Sequence, residues 1–244
     1  MKNYKFELSY DGTRYYGWEK QPNVETIQGK LEAVLSKMTQ KPVEVLGAGR
    51  TDAGVHARAM IASVHMETEK TPEEILAYMN RYLPEDICVN DVKIASDRFH
   101  ARYSAVGKLY VYTCYSGVLK PVFNRKYVTV LDYQPDAAKM REAAAFLQGE
   151  HDFTSFCGNT HMKKSAIRVI DSIEIVEKRG YITFRFHGTG FLQNQVRIMV
   201  GTLLEIGRGK IEAAEMKRIL EGRDRKLSGP VAPARGLVLE RVDY

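Results

Sequence analysis

The chain of 244 residues has few cysteines and no long hydrophobic run. Its three cysteines, Cys88, Cys114 and Cys157, lie far apart and none belongs to a C-x-x-C pair, so neither a disulfide framework nor a zinc knuckle is indicated. No apolar stretch approaches the roughly 18 residues that a membrane span needs. Glu7 stands where a signal peptide would need an apolar core. We therefore predict a cytoplasmic protein without a membrane partner.

The chain also lacks the common signatures of metal and nucleotide binding. Its histidines are scattered and form no H-E-x-x-H pattern, and no C-x-x-C pair is present to complete an H-x-E zinc signature. Gly209 and Lys210 are followed by Ile211, which does not complete a phosphate-binding P-loop. The glycines at 47 and 49 begin like a dinucleotide fingerprint, but Asp52 stands at the place of its third glycine. We expect no metal site and no organic cofactor.

Positive charge is the one feature of the composition that is in excess. Hydrophobic residues make up 44% and charged residues 27% of the chain, as in ordinary folded proteins, but the formal net charge is +6. A basic chain favours a polyanionic partner such as nucleic acid. Enzymes of anionic metabolites are often equally basic, so charge alone leaves the partner open.

Periodic patterns of apolar residues predict a mixture of strands and helices. The residues at 71–74, Thr-Pro-Glu-Glu, form a capping box with proline in the first helical turn. Further helices are predicted from residue 26 to the proline at 42, and at 136–147, 192–206 and 212–221. Strands are predicted at 5–10, 43–46, 60–66, 87–95, 108–115, 167–177, 181–187 and 237–243.

The order of these elements indicates the fold class. Strands and helices mix in both halves without strict β-α-β alternation, which favours an α+β fold over a doubly wound parallel sheet. We predict two similar domains with largely antiparallel, mixed sheets. The N-terminal domain covers 1–105 and the C-terminal domain 106–244.

The segment richest in chemical groups runs from Gly47 to Arg58. Glycines flank Asp52 on both sides, so the backbone can turn sharply and approach a ligand closely. A carboxylate in a basic loop stays ionised near neutral pH and can act as a nucleophile, while the neighbouring cations can hold phosphates. The alternative is an aspartate in a tight turn that pairs locally with Arg50.

Residues 49–57, Gly-Arg-Thr-Asp-Ala-Gly-Val-His-Ala, resemble the signature of the TruA family of tRNA pseudouridine synthases. The resemblance spans nearly the whole chain and implies the pseudouridine synthase fold, with the active-site cleft between the two domains. Other segments match in the family's order, at 10–13, 16–18, 26–32, 99–105, 108–112, 153–157, 196–204 and 232–237.

The resemblance implies an isomerase that converts uridine to pseudouridine in the anticodon stem-loop of tRNA, at positions 38, 39 and 40. Asp52 is then the nucleophile, and the reaction breaks the bond between uracil nitrogen and ribose before re-forming the link through carbon. No metal or organic cofactor is implied. The partners are tRNA and a second copy of the chain, because family members look like homodimers.

The resemblance also assigns roles to individual residues. Tyr110 would stack on the uracil, and Arg50 would help to flip the uridine out of the stack. Arg197 would pair with Asp52, and its place in an apolar helical stretch independently favours a carboxylate partner. Further candidate RNA contacts are His56, Arg58, Arg102, Lys108, Arg168 and the pair Lys163-Lys164. Core packing for Tyr110, a local salt bridge for Arg50 and a solvated surface for the other cations are the structural alternatives.

Two other functions stay open. The chain could be an RNA-binding paralogue that has lost efficient catalysis, or one with an altered RNA target. It could also be a nucleosidase or glycosidase that uses Asp52 on a small substrate, which would release free base or sugar. Mapping pseudouridine in tRNA after incubation with the protein separates these possibilities.

Overall fold

A computed structural model describes all 244 residues, and it divides into two compact units. Met1–Val106 forms the first unit together with Val238–Tyr244, and Gly107–Leu237 forms the second. The domains 1–105 and 106–244 stay a prediction. The strands are β1 (Lys2–Tyr10), β2 (Leu46–Gly47), β3 (His56–Met66), β4 (Ile87–Ala95), β5 (Gly107–Tyr115), β6 (Thr129–Val130), β7 (Gly149–Asp152), β8 (Ile167–Lys178), β9 (Tyr181–Gly188) and β10 (Leu237–Asp243). The helices are α1 (Ile27–Thr39), α2 (Pro72–Tyr82), α3 (Ala137–Ala145), α4 (Gln195–Gly207) and α5 (Glu215–Glu221).

The first unit is built on a sheet in the order β4-β1-β3-β10. β1 pairs antiparallel with both β3 and β4, and the short β2 pairs antiparallel with β3. Only β10 runs parallel to β3, where Val238 and Leu239 lie opposite His56 and Ala57. The sheet therefore places the start of β3, which follows the Asp52 segment, in its interior.

Alternation in β1 and a stripe in α1 supply the core of the first unit. Tyr4, Phe6 and Leu8 are buried on one face of β1, as the period of two requires for a half-buried strand. Helix α1 begins after Thr26, whose side chain accepts a hydrogen bond from Gly29 N. The capping box predicted at the start of α2 is present, so the sequence signal for that helix is confirmed.

The second unit has a sheet in the order β5-β9-β8-β7, in which every neighbouring pair is antiparallel. The short β6 pairs parallel with β5. Helix α3 begins after Asp136, whose carboxylate accepts hydrogen bonds from the amides of Ala138 and Lys139. Helix α4 is buried over almost its whole length. The prediction of an α+β fold with largely antiparallel sheets is confirmed.

The structure corrects several boundaries. Residues 43–45 are not a strand, because the amides of Val43 and Val45 donate to the side chains of Ser36 and Glu32 in α1. Helix α4 begins at 195 and not at 192, since Asn194 has a positive φ of 58° that no helix accommodates. Helix α5 begins at 215, preceded by i→i+3 turns at 212–216. The strands β6 and β7 were not predicted.

None of the five helices combines the length and the apolar character that crossing a bilayer requires.

Candidate active site

Asp52 lies in the segment 48–55, here called the Asp52 loop, which connects β2 to β3. Backbone hydrogen bonds hold the loop at both ends, from Ala48 N to Ile61 O (2.7 Å) and from Gly54 N to Tyr15 O (3.2 Å). A turn closes the C-terminal end of the loop, because Val55 N donates to Asp52 O at 3.1 Å. Gly54 has a φ of 78°, which favours glycine. Asp52 itself is partly exposed, on a backbone that these hydrogen bonds fix.

The chain that follows β1 packs directly against the Asp52 loop. Trp18 N donates to Thr51 O at 3.0 Å. At Gly17, whose φ is 91°, a Cβ atom would lie 2.6 Å from the same oxygen, and at Gly12 it would lie 2.0 Å from Val55 O. Only glycine permits these approaches, so Gly12 and Gly17 shape the Asp52 loop.

Buried side chains add to this support. The hydroxyl of Tyr10 and Oγ1 of Thr51 form a buried hydrogen bond of 2.9 Å. His56 is 3% exposed, and its Nδ1 accepts a hydrogen bond from Gly12 N at 3.0 Å. The carboxylate of Asp11 lies 3.2 Å from the same nitrogen. Burial of His56 favours a part in positioning the loop over direct contact with RNA.

Asp86 anchors the segment that packs on the Asp52 loop. Its carboxylate accepts hydrogen bonds from the Tyr15 hydroxyl (2.6 Å) and from the Arg14 guanidinium. Burial would raise the pKa of Asp86, but the hydrogen bonds from Arg14 and Tyr15 outweigh it and lower the pKa. Burial, with the bond to Asp86, raises the pKa of Tyr15. The carboxylate therefore stays charged and keeps both partners in place at neutral pH.

In the second unit, Tyr110 lies in β5 and is 8% exposed. Its ring meets Phe191 edge to face, with centroids 5.3 Å apart and an interplanar angle of 88°. An edge-to-face contact contributes about 0.5–1.5 kcal/mol beyond the burial of the rings, and it favours one orientation of the ring. Phe191 thus gives Tyr110 the defined orientation that a stacking surface needs.

Arg197 lies in the first turn of α4, and its guanidinium is oriented by two neighbours. Nε donates to Ala232 O at 2.8 Å and Nη1 donates to Asn194 Oδ1 at 2.8 Å. The backbone is tied at the same place, since Ala232 N donates to Arg197 O at 3.1 Å. A charged group in a largely buried helix is therefore held in one direction.

The first unit carries a carboxylate on a loop held by backbone hydrogen bonds, and the second carries an oriented aromatic ring and an oriented guanidinium. These are kinds of group that nucleophilic chemistry on a flat base requires. Comparison with known proteins identifies the class. A family model described as tRNA pseudouridine synthase matches residues 8–104 and 143–244. The chain belongs to the tRNA pseudouridine synthase family. The predictions of this family and of an enzyme of this class are confirmed.

Relatives of the synthase match over the whole length of both chains. This chain is 44% identical over 245 residues to the tRNA pseudouridine synthase A of Bacillus sp. (strain KSM-64), with 100% of each chain covered. The same coverage holds for tRNA pseudouridine synthase A 2 of Bacillus anthracis at 40% and for tRNA pseudouridine synthase A 1 of Clostridium tetani at 44%. A solved structure titled "Crystal Structure of a Cbf5-Nop10-Gar1 Complex" aligns with a TM-score of 0.34 at 13% identity, over 83% of this chain and 54% of that one.

The cations that sequence analysis assigned to RNA lie in different environments of the synthase. Arg50 is 65% exposed and forms an ion pair of 2.6 Å with Glu19. Arg58 is exposed as well and lies 3.3 Å from Glu240. Exposed ion pairs of this kind contribute about 0–1 kcal/mol, so either guanidinium can exchange its carboxylate for a phosphate at little cost.

The remaining cations are divided between loop and strand positions. Arg102 is exposed in the turn after β4, whereas Lys108 is half-buried in β5. The guanidinium of Arg168 in β8 donates from Nη1 to the backbone oxygens of Ser165 (3.0 Å) and Ile167 (2.5 Å). Lys163 and Lys164 are exposed in the connection before β8. Their contacts with RNA stay predictions.

Sequence reasoning missed several residues that shape the site of the synthase. Phe191 and Asn194 hold Tyr110 and Arg197, and Tyr10 holds Thr51. Phe191 and Tyr10 are distant in sequence from their partners. Asn194 is close to Arg197, but no sequence pattern indicates their contact. The glycines at 12 and 17 lie in segments that match the family, but the sequence did not show their closeness to the Asp52 loop.

Proposed function

We propose that this synthase isomerises uridine to pseudouridine in the anticodon stem-loop of tRNA, at positions 38, 39 and 40, with Asp52 as the nucleophile. The reaction breaks the bond between the uracil nitrogen and the ribose, turns the base and joins the ribose to a ring carbon. Substrate and product are isomers, so the step needs no oxidant, reductant or second substrate. Family membership supports the substrate class, and the Asp52 loop supports the nucleophile.

The observation that carries the proposal is the way in which the Asp52 loop is held. A nucleophile must reach its substrate, and the partly exposed Asp52 can do so. It must also keep its position within about half an ångström, which requires a rigid backbone beneath it. Hydrogen bonds to Ile61, Tyr15 and Trp18 supply that rigidity.

Arg197 is proposed as the cationic partner of Asp52 during the reaction. A guanidinium can bind a carboxylate with two parallel hydrogen bonds, which orients the carboxylate and keeps it ionised. The contacts to Asn194 and Ala232 support this role, because they fix the direction of the guanidinium. A lysine at this position would supply charge without the planar geometry.

Tyr110 is proposed as the surface on which the uracil stacks. A base that must turn around its ribose cannot rely on hydrogen bonds to one edge, whereas a flat ring stabilises every orientation. The edge-to-face contact with Phe191 supports this role, since it leaves the orientation of the Tyr110 ring defined.

The partners and the remaining RNA contacts complete the proposal. Arg50 is proposed to help in flipping the uridine, while Arg58, Arg102, Lys108 and Arg168 contact tRNA phosphates. His56 supports the Asp52 loop and acts on RNA only through that loop. We also propose that the chain has two domains, 1–105 and 106–244, and that it acts in the cytoplasm as a homodimer. Light scattering measures the molar mass and so tests the homodimer.

The test compares Asp52→Asn with the wild-type protein on transfer RNA, and maps pseudouridine at each uridine. We expect at least a 10³-fold loss of rate, since a single nucleophile carries the reaction. Asp97→Asn is the matched control, because Asp97 is an exposed aspartate of the same unit, and it should keep the wild-type rate.

Other results would point elsewhere. Wild-type rates in Asp52→Asn would refute the assignment of the nucleophile. Binding of tRNA by the wild type without any pseudouridine would favour the RNA-binding paralogue, and modification at other uridines would indicate an altered target. Release of free uracil would favour a glycosidase.

A further inference from the structure

The second unit carries an exposed apolar and basic surface that contains neither Tyr110 nor Arg197. It is formed by the connection from β5 to β6, residues 116–127, and by the turn from β8 to β9, residues 178–180. We call it the 116–127 patch. Three of its apolar side chains are almost wholly exposed, namely Val118 (101%), Leu119 (78%) and Phe123 (94%). Exposed apolar clusters of this kind mark interaction sites.

Contacts between distant parts of the chain build the patch. Ser116 N donates to Gly180 O at 2.9 Å, and a Cβ atom at Gly180 would lie 3.1 Å from the Cα of Gly117. The side chain of Asn124 donates to the hydroxyl of Tyr181 at 3.2 Å. The turn from β8 to β9 therefore contacts the 116–127 connection, and the two segments form one surface.

The charge of the patch has a single sign. Lys120, Arg125, Lys126, Lys178 and Arg179 are all exposed, and no acidic residue occurs within 116–127 or 178–180. The Arg125 guanidinium donates to the backbone oxygen of Val122 at 2.6 Å, which orients it within the connection. A surface with five cations and an exposed phenylalanine combines the two elements of binding to unpaired RNA, namely phosphate attraction and base stacking.

We propose that the 116–127 patch is a second contact surface for the RNA substrate, in which the cations bind phosphates and Phe123 stacks on a base. The proposal rests on the proposed function, because it takes tRNA as the substrate. Tyr115, at the edge of the patch, follows Tyr110 by five residues of β5, about 17 Å along an extended strand. At about 3.4 Å per nucleotide in one strand, that separation corresponds to roughly five stacked nucleotides.

A second copy of the chain suits this surface less well than RNA. Most homodimers are two-fold symmetric and place the same patch of both copies face to face. Five cations on each side would then oppose five cations of the same sign, without an acid in either segment to neutralise them. The charge therefore favours a polyanion.

The experiment measures tRNA affinity as a function of salt for a triple variant, Lys120→Gln/Lys126→Gln/Lys178→Gln. We expect the dissociation constant to rise by roughly 10-fold, and the slope of its logarithm against the logarithm of the salt concentration to fall by about 2–3. The matched control is Lys139→Gln/Lys210→Gln/Lys217→Gln, which removes the same charge from exposed positions elsewhere in the second unit. It should keep the wild-type slope.

Phe123 provides a second measurement. If it stacks on a base, Phe123→Tyr keeps the affinity and Phe123→Leu loses about five-fold or more. If the side chain instead buries apolar surface against a protein, leucine should serve as well as tyrosine. Equal affinity in both variants would overturn the stacking role.

Pseudouridine formation by the wild type is measured in the same samples, so that the two proposals fail separately. Normal modification by the wild type, with the triple variant and its control indistinguishable in affinity and slope, overturns the patch alone. Absence of pseudouridine, with binding that still depends on the patch, overturns the proposed function and keeps the RNA contact. A triple variant that changes molar mass in light scattering but not tRNA affinity would show that a second copy occupies the surface.

Discussion

The guanidinium of Arg197 is oriented by one side chain and one backbone carbonyl of its own unit. Ala232 O cannot be removed by substitution, but Asn194 Oδ1 can. Asn194 has a φ of 58°, so most replacements would strain the backbone as well as delete the amide. Glycine is the replacement that removes the contact and keeps the conformation.

Asn194→Gly should therefore lower kcat by roughly 10-fold or more, the effect of losing about 1.5 kcal/mol or more from one hydrogen bond to a charged group. The KM for tRNA should change less than two-fold, because the contact positions Arg197 and does not bind RNA. Steady-state kinetics measures both constants. Asn23→Gly is the control, since Asn23 is exposed with a φ of 62°. If both variants lost kcat equally, the loss would be attributed to backbone flexibility and not to the contact with Arg197.

Tyr110 allows the aromatic face to be separated from core packing. Tyr110→Phe keeps the ring beside Phe191, whereas Tyr110→Leu keeps apolar volume without a stacking surface. We expect kcat/KM of the leucine variant to fall by about 5–150-fold, the equivalent of 1–3 kcal/mol of stacking on one base. The phenylalanine variant should remain within about three-fold of wild type. An equal loss in both variants would assign the effect to the hydroxyl group.

At the scale of elements, the Asp52 loop depends on the segment that follows β1. Gly17 combines a φ of 91° with a position where a Cβ atom would lie 2.6 Å from Thr51 O. Gly209 has a similar φ of 79° but nothing within 4 Å of an added Cβ. The two glycines therefore share the conformational strain of an alanine substitution and differ in the clash.

Gly17→Ala should lose activity beyond its loss of stability. We expect both alanine variants to lower the free energy of unfolding by about 1–2 kcal/mol through strain at positive φ. Only Gly17→Ala should also displace Thr51 and so reduce kcat, by 10-fold or more, as expected for a misplacement near the reacting group. Denaturant unfolding and kinetics on the same samples measure the two effects. A normal kcat in Gly17→Ala would contradict the supporting role of this segment.

Local patterns predicted most elements, because the decisive interactions lie within a few residues. Alternation identified β1, and the capping box identified α2. Elements went wrong where distant groups decide the conformation. Val43 and Val45 have strand character, but their amides bond to side chains of α1. The pattern of α4 continues to 192, but Asn194 breaks it with a left-handed conformation.

The candidate site divides in the same way. Asp52, Tyr110 and Arg197 stand in motifs that could be read directly, whereas the residues that hold them could not. Phe191 lies 81 positions from Tyr110 in sequence, and no local pattern marks an edge-to-face contact. His56 is likewise buried, and its contacts with Gly12 and Asp11, 44 and 45 positions earlier, are not revealed by a motif.

At the scale of the whole molecule, several ionisable groups are buried in their neutral form. Burial raises the pKa of the Cys114 thiol to about 12 from an ordinary value of 9.0. Burial also raises the pKa of Tyr112, with a smaller raising effect of Cys114, against lowering effects of Thr129 and Arg197. The pKa of Tyr15, which is 2% exposed, is raised by burial and by its hydrogen bond to Asp86. Because the pKa values of these groups are raised on folding, the free energy of unfolding depends on pH in the alkaline range.

The sign of that coupling follows from proton binding. Above pH 9 the unfolded chain releases the thiol proton of Cys114, while the folded protein keeps it until about pH 12. Rising pH therefore favours the unfolded state, by up to about 1.4 kcal/mol per pH unit for one group. Stability from this source is complete below pH 9 and is lost progressively towards pH 12.

Cys114→Ala should accordingly flatten the alkaline limb of the stability profile. Urea unfolding at intervals from pH 8 to pH 11 measures the slope, which should be shallower than that of wild type by up to about 1.4 kcal/mol per pH unit. The alanine variant is less stable at pH 8, because it leaves a small cavity in the core, but the slope is independent of that offset. Cys88→Ala removes an exposed thiol and should keep the wild-type slope. If Cys114→Ala kept the wild-type slope as well, Cys114 would contribute nothing to it. The alkaline slope would then come from the buried tyrosines, whose pKa values are also raised in the folded state.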